Sequence, residues 1–354
     1  MPVPPPPPSL AGIASRTEER IARLLAAERA RRAVFDADLD GPIGEIERLV
    51  LAGGKRLRPA FCHWGAVAAG GDGDADQVVD AGAAIELMHA FALFHDDVMD
   101  DAASRRGAPT THVVFADQHI EQRWAGEARR FGEGVAILVG DLAFVFADQL
   151  MGSAPPAAWT VWNELRVELN VGQLLDLVGS VRRDRTVVKA ERICRYKSGK
   201  YTIERPLHLG AVVADPEHGA ELFGALSAYG LPLGDAFQMR DDVMGAFGDP
   251  LRTGKPVGGD LVEGKPTPLL ARAVAAATPA QLEVLALVGD PQLTPADVAR
   301  VQDVIVATGA LAAMEARIAA LTAEAGAAIE RAPVAAAARA ELLALADYVS
   351  QRET

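Results

Sequence analysis

The sequence predicts an all-α fold, because three of its features favour helices. Apolar residues recur at helical spacing along most of the chain, as in "RTEERIARLLAAERARRAV", where Ile21, Leu24 and Leu25 share one face. Alanine-rich stretches favour helix intrinsically. Runs of alternating β-branched residues, which would indicate strands, are nearly absent. Glycine and proline clusters such as "GGDGD", "GSAPP" and "TGKPVGG" mark the breaks between helices.

Composition indicates a soluble globular protein. The chain has 354 residues, of which 50% are hydrophobic and 23% charged, enough for a large core. Its net charge of −13 argues against a general nucleic-acid or anionic-membrane binder. An anionic substrate would therefore require a local cluster of Lys and Arg.

The N-terminus differs from the rest of the chain. "MPVPPPPPSLAG" has neither a basic nor an apolar signal-peptide region, and its proline tract favours an extended conformation. We expect residues 1–12 to be a disordered leader, with partner binding as the alternative, and 13–354 to form a single domain. The absence of an uninterrupted apolar run of about 20 residues predicts no transmembrane segment and a cytoplasmic location.

The stretch "HDDVMDD" places four aspartates directly after an apolar helical segment. Asp96 and Asp100 are four residues apart and therefore share one helix face, with His89 one heptad earlier. Two carboxylates on one face form a hard-oxygen site suited to Mg²⁺. The alternative is a solvated acidic helix end.

A second acidic pair, Asp241 and Asp242, lies in "FQMRDDVMGAFGD". Position 245 is Gly, so this motif lacks the carboxylate four residues after Asp241. The repetition favours a second metal site, although acidic pairs also cap helices or face solvent.

Basic residues are clustered too. One cluster lies at a predicted helix start before the first acidic motif, and others follow each acidic motif. "GGKRLRP" places Lys55, Arg56 and Arg58 at a predicted helix start, where backbone N–H groups favour anions. Further cations and polar residues in such positions are Arg105, Arg106, Lys197, Ser198, Lys200, Lys255 and Lys265. Each alone is compatible with a solvated surface. Together with the acidic motifs they favour a site for metal-chelated diphosphates.

The order of these motifs, from "GGKRLRP" through "HDDVMDDAASRRGAPTTH", "GDLAF", "GQLLDL" and "YKSGKYT" to "GKPVGGDLVEGKPT", resembles the short-chain trans-isoprenyl diphosphate synthases, particularly actinobacterial geranylgeranyl diphosphate synthases. The resemblance covers roughly residues 40 to 270. It implies antiparallel helices around a deep central cavity, usually in a homodimer. It also implies that isopentenyl diphosphate is condensed with an allylic diphosphate to a C20 product.

The resemblance also assigns roles to individual residues. The two aspartate motifs would face each other and hold three Mg²⁺ ions through Asp96, Asp100 and Asp241. The residues implied for the allylic diphosphate are Arg105, Lys197, Ser198, Gln238 and Lys255, with Lys265 as a further substrate-binding candidate. Those implied for isopentenyl diphosphate are Lys55, Arg58, His89 and Arg106. Catalysis would depend on Asp96, Asp100, Arg105, Lys197 and Asp241.

Product length would be set near the first aspartate motif. Helical period places Ala92 and Met88 one and two turns before Asp96, along the path of the growing chain. The period does not select Phe91; the resemblance does, because the fifth position before the first aspartate limits length in that family. Phe91 as ordinary core is the alternative.

Other readings remain open from the sequence. A farnesyl (C15) synthase would share all of these motifs. A class I terpene cyclase would share the first acidic motif but needs no isopentenyl site, and a non-catalytic or packaged cargo subunit would use the proline-rich leader. The polar segment 117–134, "DQHIEQRWAGEARRFGEG", is expected to be a flexible loop.

Overall fold

The computed structural model describes residues 4–105, 107–182, 184–248, 258–290 and 292–351. The α-helices are, in order, α1 Ser9–Arg32, α2 Asp40–Leu51, α3 Leu57–Ala68, α4 Asp76–Met99, α5 Thr111–Glu121, α6 Ala128–Leu150, α7 Pro156–Arg182, α8 Val187–Cys194, α9 Arg205–Ala214, α10 Phe223–Phe247, α11 Gly259–Glu263, α12 Pro268–Ala276, α13 Pro279–Leu285, α14 Pro295–Ala307, α15 Ala310–Arg331 and α16 Ala336–Ser350. Short 3₁₀ helices are Ala37–Leu39, Met151–Ser153 and Gly219–Leu222, and a π-helix spans Arg195–Glu204. The prediction of an all-α fold is confirmed.

The only strands among the described residues form a hairpin after the first acidic motif. Strand β1 is Ser104–Arg105 and strand β2 is Ala108–Pro109, paired antiparallel with Arg105 opposite Ala108. Gly107 has a φ of 77°, which glycine adopts without strain. The pairing with Ala108 holds the backbone of Arg105 in a defined position.

The chain divides into two compact units. The first unit comprises residues 8–63 and 72–155, and the second comprises 1–7, 64–71 and 156–354. In the first unit α4 packs against α1, α2 and α6, and α5 packs against α6. Helix α4 is buried on most sides, with Ile85, Leu87 and Met88 fully inaccessible. This burial explains why the residues before the acidic motif are almost wholly apolar.

Helix α1 begins at Ser9, inside the segment expected to be a disordered leader. Leu10 and Ile13 are both buried, and burying such side chains stabilises the first turn by roughly 1.5–3 kcal/mol each. The expected boundary at residue 12 is therefore corrected: residues 9–12 are helical.

The expectation of a flexible loop at 117–134 is wrong. Helix α5 extends to Glu121 and α6 begins at Ala128, so a short connection separates two helices. His119 is buried, and the rings of Trp124 and Phe131 lie 5.3 Å apart beside it. The Glu127 carboxylate accepts hydrogen bonds from the first backbone N–H groups of α6. The polar composition of this segment gave no indication of these aromatic contacts.

In the second unit α10 packs against α15, α16 and the π-helix, and α7 packs against α9 and the π-helix. Its core contains Met239, Leu270, Met314 and Ile318, all nearly inaccessible. The hydroxyl of Tyr229 donates to the carbonyl oxygen of Leu342 at 2.7 Å. These contacts fix the axis of α10, which carries the second acidic motif.

Among the residues that the structure describes, two helical segments, Asp76–Met99 and Ala128–Ser153, are each long and apolar enough to span a membrane, judged by length and composition alone. Of the most apolar 18-residue stretch of each segment, 61% is buried inside the protein in the first and 44% in the second. Both helices pack against neighbouring helices of the first unit, and the expectation of no transmembrane segment stays a prediction.

Candidate active site

The first acidic motif lies at the C-terminal end of α4. The helix ends at Met99, and the N–H of Asp100 donates to the carbonyl oxygen of Asp96 at 2.8 Å. Helical geometry therefore continues to Asp100, so Asp96 and Asp100 emerge on the same side of the helix end. Both side chains are partly accessible, as metal or substrate ligands must be.

Asp97, which the sequence analysis did not assign, points into the protein instead. The residue is 4% exposed, and one of its side-chain oxygens, Oδ1, accepts from Arg105 Nε at 2.8 Å and lies 2.7 Å from Arg105 Nη2. Burial raises the pKa of Asp97, and the Arg105 guanidinium acts to lower it. The same guanidinium lies 3.8 Å from Asp96 Oδ2. Asp97 thus holds the cation of the following hairpin beside the metal-ligand candidate.

The first four residues of "GGKRLRP", 53–56, form a loop held by a buried arginine, and the remaining three begin α3. Gly53 and Gly54 have φ values of 89° and 154°, which favour glycine, and they precede α3. Arg56 is 6% exposed and donates to Glu86 at 2.8 Å, to Glu18 at 3.0 Å and to the carbonyl oxygen of Val50. Arg56 is therefore structural.

Lys55 and Arg58 flank the buried Arg56 and are half-buried. They remain in the same unit as Asp96 and Asp100, as does the partly buried His89 on α4. The candidates of this unit therefore lie on the loop before α3, on the first turn of α3, on α4 and on the hairpin.

Phe91 lies beside α6. Its ring centroid is 4.7 Å from that of Phe144 and 4.6 Å from that of His95. His95 Nε2 lies 3.0 Å from the carbonyl oxygen of Ile137, and a Cβ at Gly140 would lie 2.4 Å from the His95 ring. His95 is thus a structural side chain that braces Phe91. Met88 is fully buried, whereas Ala92 is partly accessible.

In the second unit, "YKSGKYT" forms the π-helix between α8 and α9. Such wide turns are rare and often occur at functional sites. Lys197 Nζ lies 2.6 Å from Asp176 Oδ2, and Asp176 is buried on α7 within "GQLLDL". Ser198 follows on the same turn and is partly accessible. The sequence motif "GQLLDL" indicated this region, but its spacing alone did not pair Asp176 with Lys197.

The second acidic motif occupies the last turns of α10. Asp241 is partly accessible, whereas Asp242 is 4% exposed and its Oδ1 accepts from Gln238 Nε2 at 2.9 Å. Burial raises the pKa of Asp242 well above its usual range; Gln238 opposes this, and the charges of Asp260, Asp241 and Asp176 raise it further. Gln238 therefore contacts the acidic motif directly.

Three sequence-predicted candidates remain, Lys265, Arg106 and Lys255. Lys265 follows α11 and pairs with the exposed Glu263. Arg106 and Lys255 lie outside the described residues.

Both acidic motifs fit a divalent metal by their chemistry. Within the described ranges, no group of three or more His, Cys, Asp or Glu side chains is already assembled as a metal site. Mg²⁺ does not require one, because it binds one or two carboxylates and takes its other ligands from waters and substrate phosphates. The buried Oδ2 of Asp242 accepts no hydrogen bond from the described residues, and a nearby cation would stabilise its ionised form.

Comparison with known proteins agrees with these features. The polyprenyl synthetase family model matches residues 44–306. The chain is 35% identical to a geranylfarnesyl diphosphate synthase of Aeropyrum pernix, across 87% of this chain and 93% of that protein. It is also 35% identical to a geranylgeranyl diphosphate synthase of Mycobacterium tuberculosis, across 72% of this chain and 69% of that protein.

The fold agrees as well. A crystal structure of geranylgeranyl pyrophosphate synthase from Corynebacterium glutamicum, complexed with isoprenyl diphosphate and magnesium, superposes with a TM-score of 0.91 at 35% identity. The match covers 97% of this chain and 99% of that one. Enzymes of this family use divalent metal ions to bind diphosphates. The chain therefore belongs to the polyprenyl synthetase family, and it is a prenyltransferase.

Proposed function

We propose that this enzyme condenses isopentenyl diphosphate with allylic diphosphates and releases mainly geranylgeranyl diphosphate, C20. The relatives carry names for C15, C20 and C25 products, so similarity alone leaves the length open. The observation that carries C20 is Phe91, wedged against Phe144, next to the small Ala92. A farnesyl-type enzyme would carry bulk at both positions 91 and 92.

The test is an assay with purified protein, Mg²⁺, isopentenyl diphosphate and each allylic primer in turn, with product length read by chromatography. C20 as the dominant product supports the proposal, and C15 or C25 overturns it. Hydrocarbon release from an allylic diphosphate alone would instead indicate a terpene cyclase.

We propose that Asp96, Asp100 and Asp241 hold three Mg²⁺ ions. When bound, the ions supply positive charge to the departing diphosphate. Arg105 would bind the same leaving group, with its guanidinium already oriented by Asp97 before substrate arrives. Titration of the enzyme with Mg²⁺ and a non-hydrolysable diphosphonate measures the number of ions bound. Three ions per chain support the proposal, and fewer than three contradict it.

The remaining substrate roles are part of the same proposal. Lys197 and Ser198 would bind diphosphate from the π-helix, and Lys197 is oriented by Asp176 as Arg105 is by Asp97. Lys55, Arg58 and His89 would bind isopentenyl diphosphate. Raised KM for isopentenyl diphosphate alone in Lys55→Ala and Arg58→Ala variants supports this division, and equal changes for both substrates count against it.

We propose that the enzyme is a homodimer. On α7, the exposed residues Val167, Val171 and Leu174 follow the four- and three-residue spacing of a helix-packing seam, and the exposed Val181 lies one heptad after Leu174. On α6, Leu138 and Val145 are exposed one heptad apart. Exposed apolar stripes of this kind mark protein interfaces. Sedimentation should give a dimer that Leu174→Glu dissociates; a wild-type monomer at micromolar concentration contradicts the proposal.

We propose that the enzyme works in the cytoplasm. Its net charge of −13 disfavours attachment to anionic lipid surfaces. Cell fractionation should recover the protein with the supernatant after high-speed centrifugation, and recovery with membranes contradicts the proposal.

A further inference from the structure

In the second unit, the carboxylate of Asp260 occupies the space that a side chain at position 245 would need. A Cβ built on Gly245 would lie 1.8 Å from Asp260 Oδ2 and 2.5 Å from its Cγ, far closer than any real contact. Gly245 is the position where the second acidic motif lacks its carboxylate, one turn after Asp241. The carboxylate of Asp260, carried by α11, therefore lies where a side chain at position 245 would begin.

The neighbourhood of Asp260 is electrostatically suited to a cation. Asp242 is 4% exposed, and its buried Oδ2 accepts no hydrogen bond from the part of the chain that the structure describes. The charge of Asp260 acts on Asp242 together with those of Asp241 and Asp176. Of these carboxylates, Asp176 pairs with Lys197 Nζ at 2.6 Å. A buried carboxylate with an unsatisfied oxygen is stabilised by a bound cation.

We propose that Asp260 replaces the carboxylate missing at position 245 and completes the cation site of the second acidic motif, directly or through a metal-bound water. The inference deepens the proposed function, because it depends on metal binding at Asp241. It explains the glycine at position 245: any larger side chain would displace the Asp260 carboxylate. The carboxylate is thus supplied from α11 rather than from α10 itself.

A carboxylate-relocation experiment tests the proposal. Gly245→Asp alone should destabilise the protein, because its Cβ meets Asp260. Asp260→Gly alone should fold but bind Mg²⁺ and methylene diphosphonate about tenfold or more weakly, the scale for one charged contact. The double variant Gly245→Asp, Asp260→Gly restores a carboxylate to the same space. It should recover both thermal stability and diphosphonate affinity.

The measurements are calorimetric titration with Mg²⁺ and methylene diphosphonate, and the melting temperature without ligand. Asp260→Asn keeps the side-chain shape and gives a result even if the double variant does not fold. Glu283→Gln, which removes an exposed charge on α13, is the control and should bind as wild type. Wild-type affinity in Asp260→Asn, or a folded double variant that binds as weakly as Asp260→Gly, overturns the inference alone. Failure of the wild-type protein to bind would overturn the proposed metal use as well.

Discussion

Arg105 directs two N–H groups at a single oxygen of Asp97, with Nε and Nη2 at 2.8 Å and 2.7 Å from Oδ1. Asp97 is buried, and Asp96, its neighbour in the motif, is 3.8 Å from the same guanidinium. A planar guanidinium held in this way loses little further freedom when it meets a diphosphate. The two adjacent aspartates of this motif therefore differ: Asp96 is partly accessible, whereas Asp97 is buried and orients Arg105.

Asp97→Asn should weaken this orientation while keeping the shape of the side chain. We expect the KM for the allylic primer to rise about tenfold, since a charge-assisted hydrogen bond contributes roughly 1.5–3 kcal/mol. The KM for isopentenyl diphosphate should change less. Steady-state kinetics with each substrate varied in turn measures the difference, and an unchanged primer KM would show that Arg105 needs no such support.

Asp96→Ala should reduce turnover by about 100-fold or more, the scale for removing a main electrostatic stabiliser. Asp101→Ala is the matched control, because Asp101 belongs to the same motif but is exposed and pairs only at 3.4 Å with Arg129. The control should keep near-normal turnover. Equal activity of the two folded variants would remove the metal role from Asp96.

Phe91→Ala should lengthen the product to C25 and beyond, because it removes the ring braced by Phe144 and His95. Ala92→Phe should shorten it towards C15 by adding bulk one turn before Asp96. Phe144→Ala should lengthen it in part, since Phe91 then loses its support. Chromatography of the products with a common primer compares the three variants.

Unchanged C20 product from an active Phe91→Ala enzyme would place the limit elsewhere. Met88, fully buried one turn deeper on α4, is then the next position to change.

Stability should fall at acid pH through His208. The buried imidazole stacks on Phe223 at 4.1 Å and contacts Ser227 at 3.1 Å, and burial lowers its pKa from 6.5 to about 4. Between those values the unfolded chain binds more protons than the folded one. Protonation of His208 therefore costs no stability above pH 6.5. As the pH falls from 6.5 towards 4, it lowers the free energy of unfolding by about 3 kcal/mol in total.

His208→Gln removes this titration. Urea unfolding at several pH values should show a smaller loss of stability below pH 6.5 in the variant than in wild type. His218→Gln, at an exposed histidine, is the control and should follow wild type. Parallel curves for wild type and His208→Gln would exclude His208 as the cause.

Much of the architecture could be predicted from the sequence, because helical periodicity is a local property. Apolar spacing predicted helices, and the spacing of Asp96 and Asp100 placed two carboxylates on one helix face. The order of the acidic and basic motifs indicated the family. The polar run 117–134 led to the wrong prediction of a flexible loop, because the burial of His119 beside Trp124 and Phe131 depends on tertiary contacts.

Only the tertiary structure decided which charged groups meet. Asp97 and Arg105 are eight residues apart but belong to a helix and a hairpin, and Asp176 and Lys197 belong to different helices. Asp260 reaches the space beside Gly245 only because α11 packs against α10. Such pairings depend on how helices pack, and side-chain spacing within one helix cannot specify them. The sequence by itself determined the helices and the chemistry they carry, whereas packing determined which residues orient that chemistry.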